Sequence, residues 1–94
     1  MAVILKVPTA LRRVTNGAET LDIPIGTVNN AISILEEKYP GFKDRILDEA
    51  SGDIHPFISI FLNENDIQYI DGLETAMLEG DELIIIPAIA GGNS

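Results

Sequence analysis

Apolar and polar residues alternate in short bursts near both ends of the chain, and apolar residues fall at helical spacing once between them. Residues 2–7 (AVILKV) form a β-rich run stopped by Pro8. Residues 18–25 (AETLDIPI) alternate, with Leu21, Ile23 and Ile25 on one face and Asp22 on the other. The stretch between them ends in Asn16-Gly17, a strong turn signal, so the two runs read as a hairpin. Pro24 has no N–H for a ladder, which puts this second strand at a sheet edge or ends it there. Helical spacing begins after Gly26. Val28, Ala31, Ile32, Leu35 and Tyr39 make one apolar stripe, with Thr27 as N-cap. Glu36, Glu37 and Lys38 take the outer face, and Pro40-Gly41 ends the helix. Residues 42–47 read as one further turn, with Phe42, Ile46 and Leu47 packing under it. Residues 48–56 have loop composition.

The second half repeats the strand signal. Residues 57–62 (FISIFL) predict a third strand, followed by a turn at Asn63-Glu64-Asn65. Residues 67–70 read as a short fourth strand closed by Asp71-Gly72. Residues 73–80 carry an irregular or helical turn, and residues 82–86 form the last strand before Pro87. A helix crossing between two hairpin-like regions implies a mixed sheet with that helix lying across it. The predicted fold is α+β, a β-grasp with one main helix packed across one face of a mixed sheet.

Alternation then sorts the faces. Val3, Leu5, Val7, Leu21, Ile23, Ile25, Ile58, Ile60, Leu62, Leu83 and Ile85 should lie beneath the helix. That leaves Phe57, Phe61, Ile84 and Ile86 on a face that no remaining element covers. Two readings stand: ordinary exposed apolar surface, or a partner-docking patch, the second favoured by two Phe and two Ile clustering on central strands.

Composition narrows the function. The 94 residues contain no Cys, which removes disulfides, thiolate metal sites and thiol catalysis. Fifteen acidic against six basic side chains give a net charge of −9, a surface repelled by phosphate backbones and anionic lipid. No nucleic-acid or membrane role is expected. That acidity keeps the protein soluble, steers it toward basic surfaces, or both. The N-terminus has no basic region followed by a long apolar run, so a cytoplasmic location is expected. His55 has no neighbours that complete a triad. Asp44, Asp48, Glu49 and Asp53 lack EF-hand spacing, so no metal and no bound cofactor are expected. Arg12 and Arg13 read as solvated hairpin residues or partner contacts. No Walker loop, Rossmann fingerprint or nucleophile elbow occurs, and no enzymatic activity is expected.

The last strand gives way to Ala90-Gly91-Gly92 and then Asn93-Ser94. Residues 1–87 read as the β-grasp domain and 88–94 as a flexible tail, whose glycines make a thin thread able to enter a narrow channel. The string 79–92 (EGDELIIIPAIAGG) resembles the ending of ubiquitin-like sulfur carriers of the ThiS/MoaD superfamily. Asn63 and the helix opening at Thr27 also fall where that family places them. Val7-Pro8-Thr9 with Leu11-Arg12 is most similar to its CysO subgroup, the carriers for cysteine biosynthesis.

The resemblance implies that an E1-like adenylating enzyme, consuming ATP, activates the carboxylate of Gly92. A thiocarboxylate then forms there and donates its sulfur, with a cysteine-synthase-like protein as the favoured acceptor. This chain departs from that pattern, because the Gly92 carbonyl is held in an amide to Asn93 and lacks the anionic oxygen that attacks phosphorus. Asn93 and Ser94 are therefore read as a cap removed by a JAMM-type zinc metalloprotease. Two alternatives stand: a protein modifier conjugated through Gly92, and a ubiquitin-like binding module that is never activated.

Overall fold

The computed structural model describes residues 2–87. Its main sheet has the strand order β2-β1-β7-β4-β5, built from β1 (Val3–Lys6), β2 (Thr20–Ile23), β4 (Ile58–Leu62), β5 (Asn65–Asp66) and β7 (Glu82–Pro87). The pairing of β1 with β7 is parallel and every other pairing is antiparallel. A parallel pair needs a crossover. It is supplied by helix α1 (Val28–Lys38), the short helix α2 (Phe42–Ile46) and the strands that follow. The expected β-grasp is present, with β2 at the edge where Pro24 predicted it.

Helix α1 starts where the sequence signals it. Thr27 is extended at φ −86°, and its Oγ1 accepts from the Asn30 amide at 3.1 Å. Val28, Ala31, Ile32 and Leu35 are buried against Val3, Leu5, Ile23, Ile60, Leu83 and Ile85 of the sheet in one core cluster. Gly41 turns the chain into α2 at φ +98°, a conformation that L side chains rarely adopt. Phe42 and Ile46 are then fully buried, as the pattern indicated.

Three expectations need correction. Residues 67–70 are not a strand. β5 stops at Asp66, whose Oδ1 accepts from the Gln68 amide at 3.0 Å, and Ile67–Tyr69 winds into a 3-10 turn. The carboxylate offers the backbone a local partner that competes with the ladder. Ile25 is not in the core and stands 54% exposed. After Pro24 the chain leaves the sheet, and Gly26–Thr27 (β3) pairs with Ala76–Met77 (β6) in a separate two-stranded ladder that the pattern did not reveal. Leu21, placed in the core by alternation, is only partly buried at the sheet's edge.

The last strand also runs one residue further than expected, through Pro87. The Asn63 amide donates to the Glu82 carbonyl at 2.7 Å, which makes 61/84 and 59/86 the hydrogen-bonded pairs of the antiparallel ladder. Pro87, opposite Ile58, therefore falls at a non-hydrogen-bonded pair. Its missing N–H faces away from β4, on the side where β1 has already ended, so no ladder bond is lost.

Candidate functional site

On the sheet face away from α1, the β4–β7 register sets Phe61 across from Ile84 and Ser59 across from Ile86. Phe61 and Ile84 are half-buried as a cross-strand pair, whereas Ile86 is 47% exposed. Phe57 precedes β4 and is 50% exposed, its ring stacked on His55 at a centroid distance of 4.9 Å and an interplanar angle of 11°. Phe61, Ile84 and Ile86 thus form a strip along β4 and β7 that ends beside Pro87, and Phe57 stands one residue before β4, the strand end that faces Pro87.

The charged neighbours are few. Lys6 Nζ and Glu82 Oε2 lie 3.3 Å apart at the other end of that strip, the one salt bridge among the described residues. Arg12 is less free than a solvated hairpin residue, because its Nε donates to the Val7 carbonyl at 3.2 Å and ties the hairpin loop to the end of β1. His55 Nε2 lies 3.0 Å from the Asp44 carbonyl, so ring and backbone join α2 to the segment before β4. Asp48 Oδ1 accepts from the Ala50 amide at 2.9 Å and so caps a turn. Among the described residues, no group of three or more His, Asp or Glu side chains is placed to hold a metal ion. No helix there is long and apolar enough to cross a membrane.

Gly92, the tail residues Ala90 and Gly91, and the cap Asn93-Ser94 lie outside the described residues. The described residues end at Pro87, five positions before Gly92 in the sequence.

Two polar devices were not legible in the pattern. Glu36 was assigned to the solvated face, yet its Oε1 accepts from the Lys43 amide at 2.8 Å and its Oε2 from the Gly41 amide at 3.3 Å. It caps α2 from the last turns of α1. Asn63 and Asp81 interlock at the start of β7. Asn63 Nδ2 donates to Asp81 Oδ1 at 3.2 Å, Asn63 Oδ1 accepts from the Glu82 amide at 3.0 Å, and Asp81 Oδ2 accepts from the Leu78 amide at 2.8 Å.

Against known families, the ThiS family model matches residues 5–92, nearly the whole chain. The chain belongs to the ThiS family. Its ThiS relatives include the sulfur carrier protein CysO of Mycobacterium tuberculosis, 39% identical over 93 residues, covering 98% of this chain and all of that protein. Among solved structures, it superposes on the Amycolatopsis orientalis BexX/CysO complex with a TM-score of 0.89 at 36% identity, covering 97% of this chain and 100% of the matched chain. It also superposes on small archaeal modifier protein 1 from Methanosarcina acetivorans, with a TM-score of 0.78 at 33% identity and 96% and 95% of the two chains covered. The CysO relative is a sulfur carrier protein rather than an enzyme, in line with the absence of catalytic motifs from this sequence.

Proposed function

We propose that this protein is a sulfur carrier of the CysO kind, whose working group is the carboxylate of Gly92 once Asn93-Ser94 has been removed. The observation that carries the reading is full-length similarity, at 39% identity, to a protein named as a sulfur carrier. The family match also runs through Gly92 and stops before Asn93, which supports treating the last two residues as an addition to the family's pattern.

The chemistry follows from the group exposed. A metalloprotease of the JAMM type hydrolyses the Gly92–Asn93 amide and leaves a free carboxylate. On an E1-like enzyme, one carboxylate oxygen attacks the α-phosphorus of ATP and pyrophosphate departs. The acyl-adenylate is then attacked at carbon by sulfur at the sulfide level, AMP leaves, and a thiocarboxylate remains. Carbon keeps its oxidation level throughout, and the chain has no Cys to supply the sulfur itself. Gly91 and Gly92, which lead up to the reacting carbonyl, let the partner approach from that side without a Cβ in the way. The strip of Phe57, Phe61, Ile84 and Ile86 beside the tail's origin is the proposed docking surface for the activating enzyme. The acceptor is proposed to be a cysteine-synthase-like enzyme, and the setting the cytoplasm.

The deciding experiment incubates the full-length chain and a Gly92-terminated chain with an activating enzyme, ATP and sulfide. Only the shortened chain is expected to gain the mass of one sulfur in place of one oxygen. Equal conversion of both chains would remove the processing step from the proposal, and conversion of neither would remove the carrier reading. The likeness to small archaeal modifier protein 1 favours a second reading, conjugation through Gly92 to lysines of other proteins. Diglycine remnants on target lysines, in place of a thiocarboxylate, would select it. A Gly92→Ala chain that keeps full function would instead point to a binding module that is never activated.

A further inference from the structure

The charge of this chain is divided along its length. All six Lys and Arg lie between residues 6 and 45, whereas ten acidic residues and no basic one follow Arg45 in the sequence. In the fold, the acidic segment contributes the turns at the start of β7, the pole opposite the tail. There the residues Ala2, Ile4, Asp22, Glu79 and Gly80 line an open concavity of about 420 Å³. Its floor is apolar, with Ile4 44% exposed. Leu78, one residue before the lining Glu79, is 68% exposed, and Ile25 is exposed beside it, the two flanking the Gly26–Met77 pair.

Lys6 is the nearest cation on this face, two positions along β1 from Ile4, and it is paired with Glu82. That ion pair separates the concavity from the strip of Phe61, Ile84 and Ile86, because Ile4 stands across from Glu82 and Lys6 across from Ile84. The two apolar surfaces are therefore distinct. Five steps of roughly 3.3 Å separate Glu82, beside the concavity, from Pro87, the last described residue, which puts the two ends some 17 Å apart.

We infer that this pole is a second docking surface, for a protein partner that presents an Arg or Lys set among aliphatic side chains. The cation's charged end meets the carboxylates of Asp22 and Glu79, and its apolar stem lies over Ala2 and Ile4. Leu78 and Ile25 supply the apolar contact around it. An acidic partner would set like charge against the two carboxylates, and a neutral one would leave them without a counter-charge, so both bind less well than a cation. The area is small, so the contact belongs to the transient class. Its distance from the tail lets a partner hold the protein here while another engages the C-terminal residues. Nothing in this inference depends on the sulfur-carrier reading.

The test is a titration of the full-length, isotope-labelled protein with the acetylated, amidated peptide Leu-Arg-Leu, followed by amide NMR. Shifts are expected at Ile4, Asp22, Glu79 and Gly80, with Phe61 and Ile86 unmoved. The isosteric neutral peptide Leu-citrulline-Leu, the Asp22→Asn/Glu79→Gln double variant and Leu78→Ser should each weaken binding about threefold or more, the range expected for exposed contacts. The side chains of Asp22 and Glu79 make no hydrogen bond among the described residues and that of Leu78 is 68% exposed, so urea midpoints should stay in place. Shifts spread evenly over the acidic loops at 48–53 and 71–74, shifts that reach Phe61 and Ile86, indifference to Leu78→Ser, or no shifts at all would each overturn the proposal.

Discussion

Glu36 shows how one side chain can carry more structure than its position suggests. Its two oxygens hold the Gly41 and Lys43 amides, groups that α1 and α2 would otherwise leave unpaired at their junction. Charge-assisted bonds of this kind, partly open to water, contribute about 1–2 kcal/mol in sum. Glu36→Ala is therefore expected to lower the unfolding free energy by that amount in urea denaturation, and Glu36→Gln by less, because the amide keeps one acceptor. A Glu36→Ala protein as stable as the parent would show that water replaces the carboxylate at no cost. The sequence placed Glu36 correctly on the helix surface and Thr27 correctly as the cap. Its job at Gly41 depends on where the chain returns after Pro40, and periodicity within one helix carries no information about that.

Among the elements, alternation worked wherever a strand stayed in the sheet and failed where the chain left it. Val3, Leu5, Ile58, Ile60, Leu62, Leu83 and Ile85 are all buried as read, because the period of two is fixed by the pleat. Ile25 broke the rule because Pro24 ends the ladder and β3 pairs elsewhere. The strand expected at residues 67–70 is absent because the Asp66 carboxylate draws the backbone into a 3-10 turn. The correction is measurable. Ile23→Ala is expected to cost about 2–5 kcal/mol and Ile25→Ala less than about 0.5 kcal/mol; equal costs by urea denaturation would restore Ile25 to the core. The Asn63–Asp81 interlock also acts at this scale, since it fixes the first residue of β7, and a slip of one residue would exchange the two faces of that strand. Asp81→Ala removes the acceptors of the Leu78 amide and of Asn63 Nδ2. It should destabilise the fold by about 1–3 kcal/mol and speed hydrogen exchange at Leu78. An unchanged exchange rate there would deny the interlock any role in holding the turn.

For the whole molecule, the question is what the apolar strip contributes to the reaction proposed at Gly92. Fully burying one large apolar side chain yields at most about 1.5–3 kcal/mol, and association costs about 4–15 kcal/mol. Phe57 and Ile86 are already half covered, so each has about 1 kcal/mol left to give. On the function proposed above, the strip is too weak to hold a partner by itself, and its part is to orient the C-terminal residues of a carrier that leaves after each cycle. Because these two residues lie outside the packed core, changing them tests docking with little effect on folding. Phe61 and Ile84 are poorer probes, since each supports the other across the ladder. The double variant Phe57→Ser/Ile86→Ser, in the Gly92-terminated chain, is expected to raise KM for adenylation by the activating enzyme about tenfold or more, on the basis of about 2 kcal/mol lost. kcat should hold, because the reacting carboxylate is untouched, and so should the urea midpoint. A fall in kcat with KM unchanged would mean that the strip aligns the tail in the transition state and does not dock the protein beforehand. No change in either constant would leave the four residues as ordinary exposed surface.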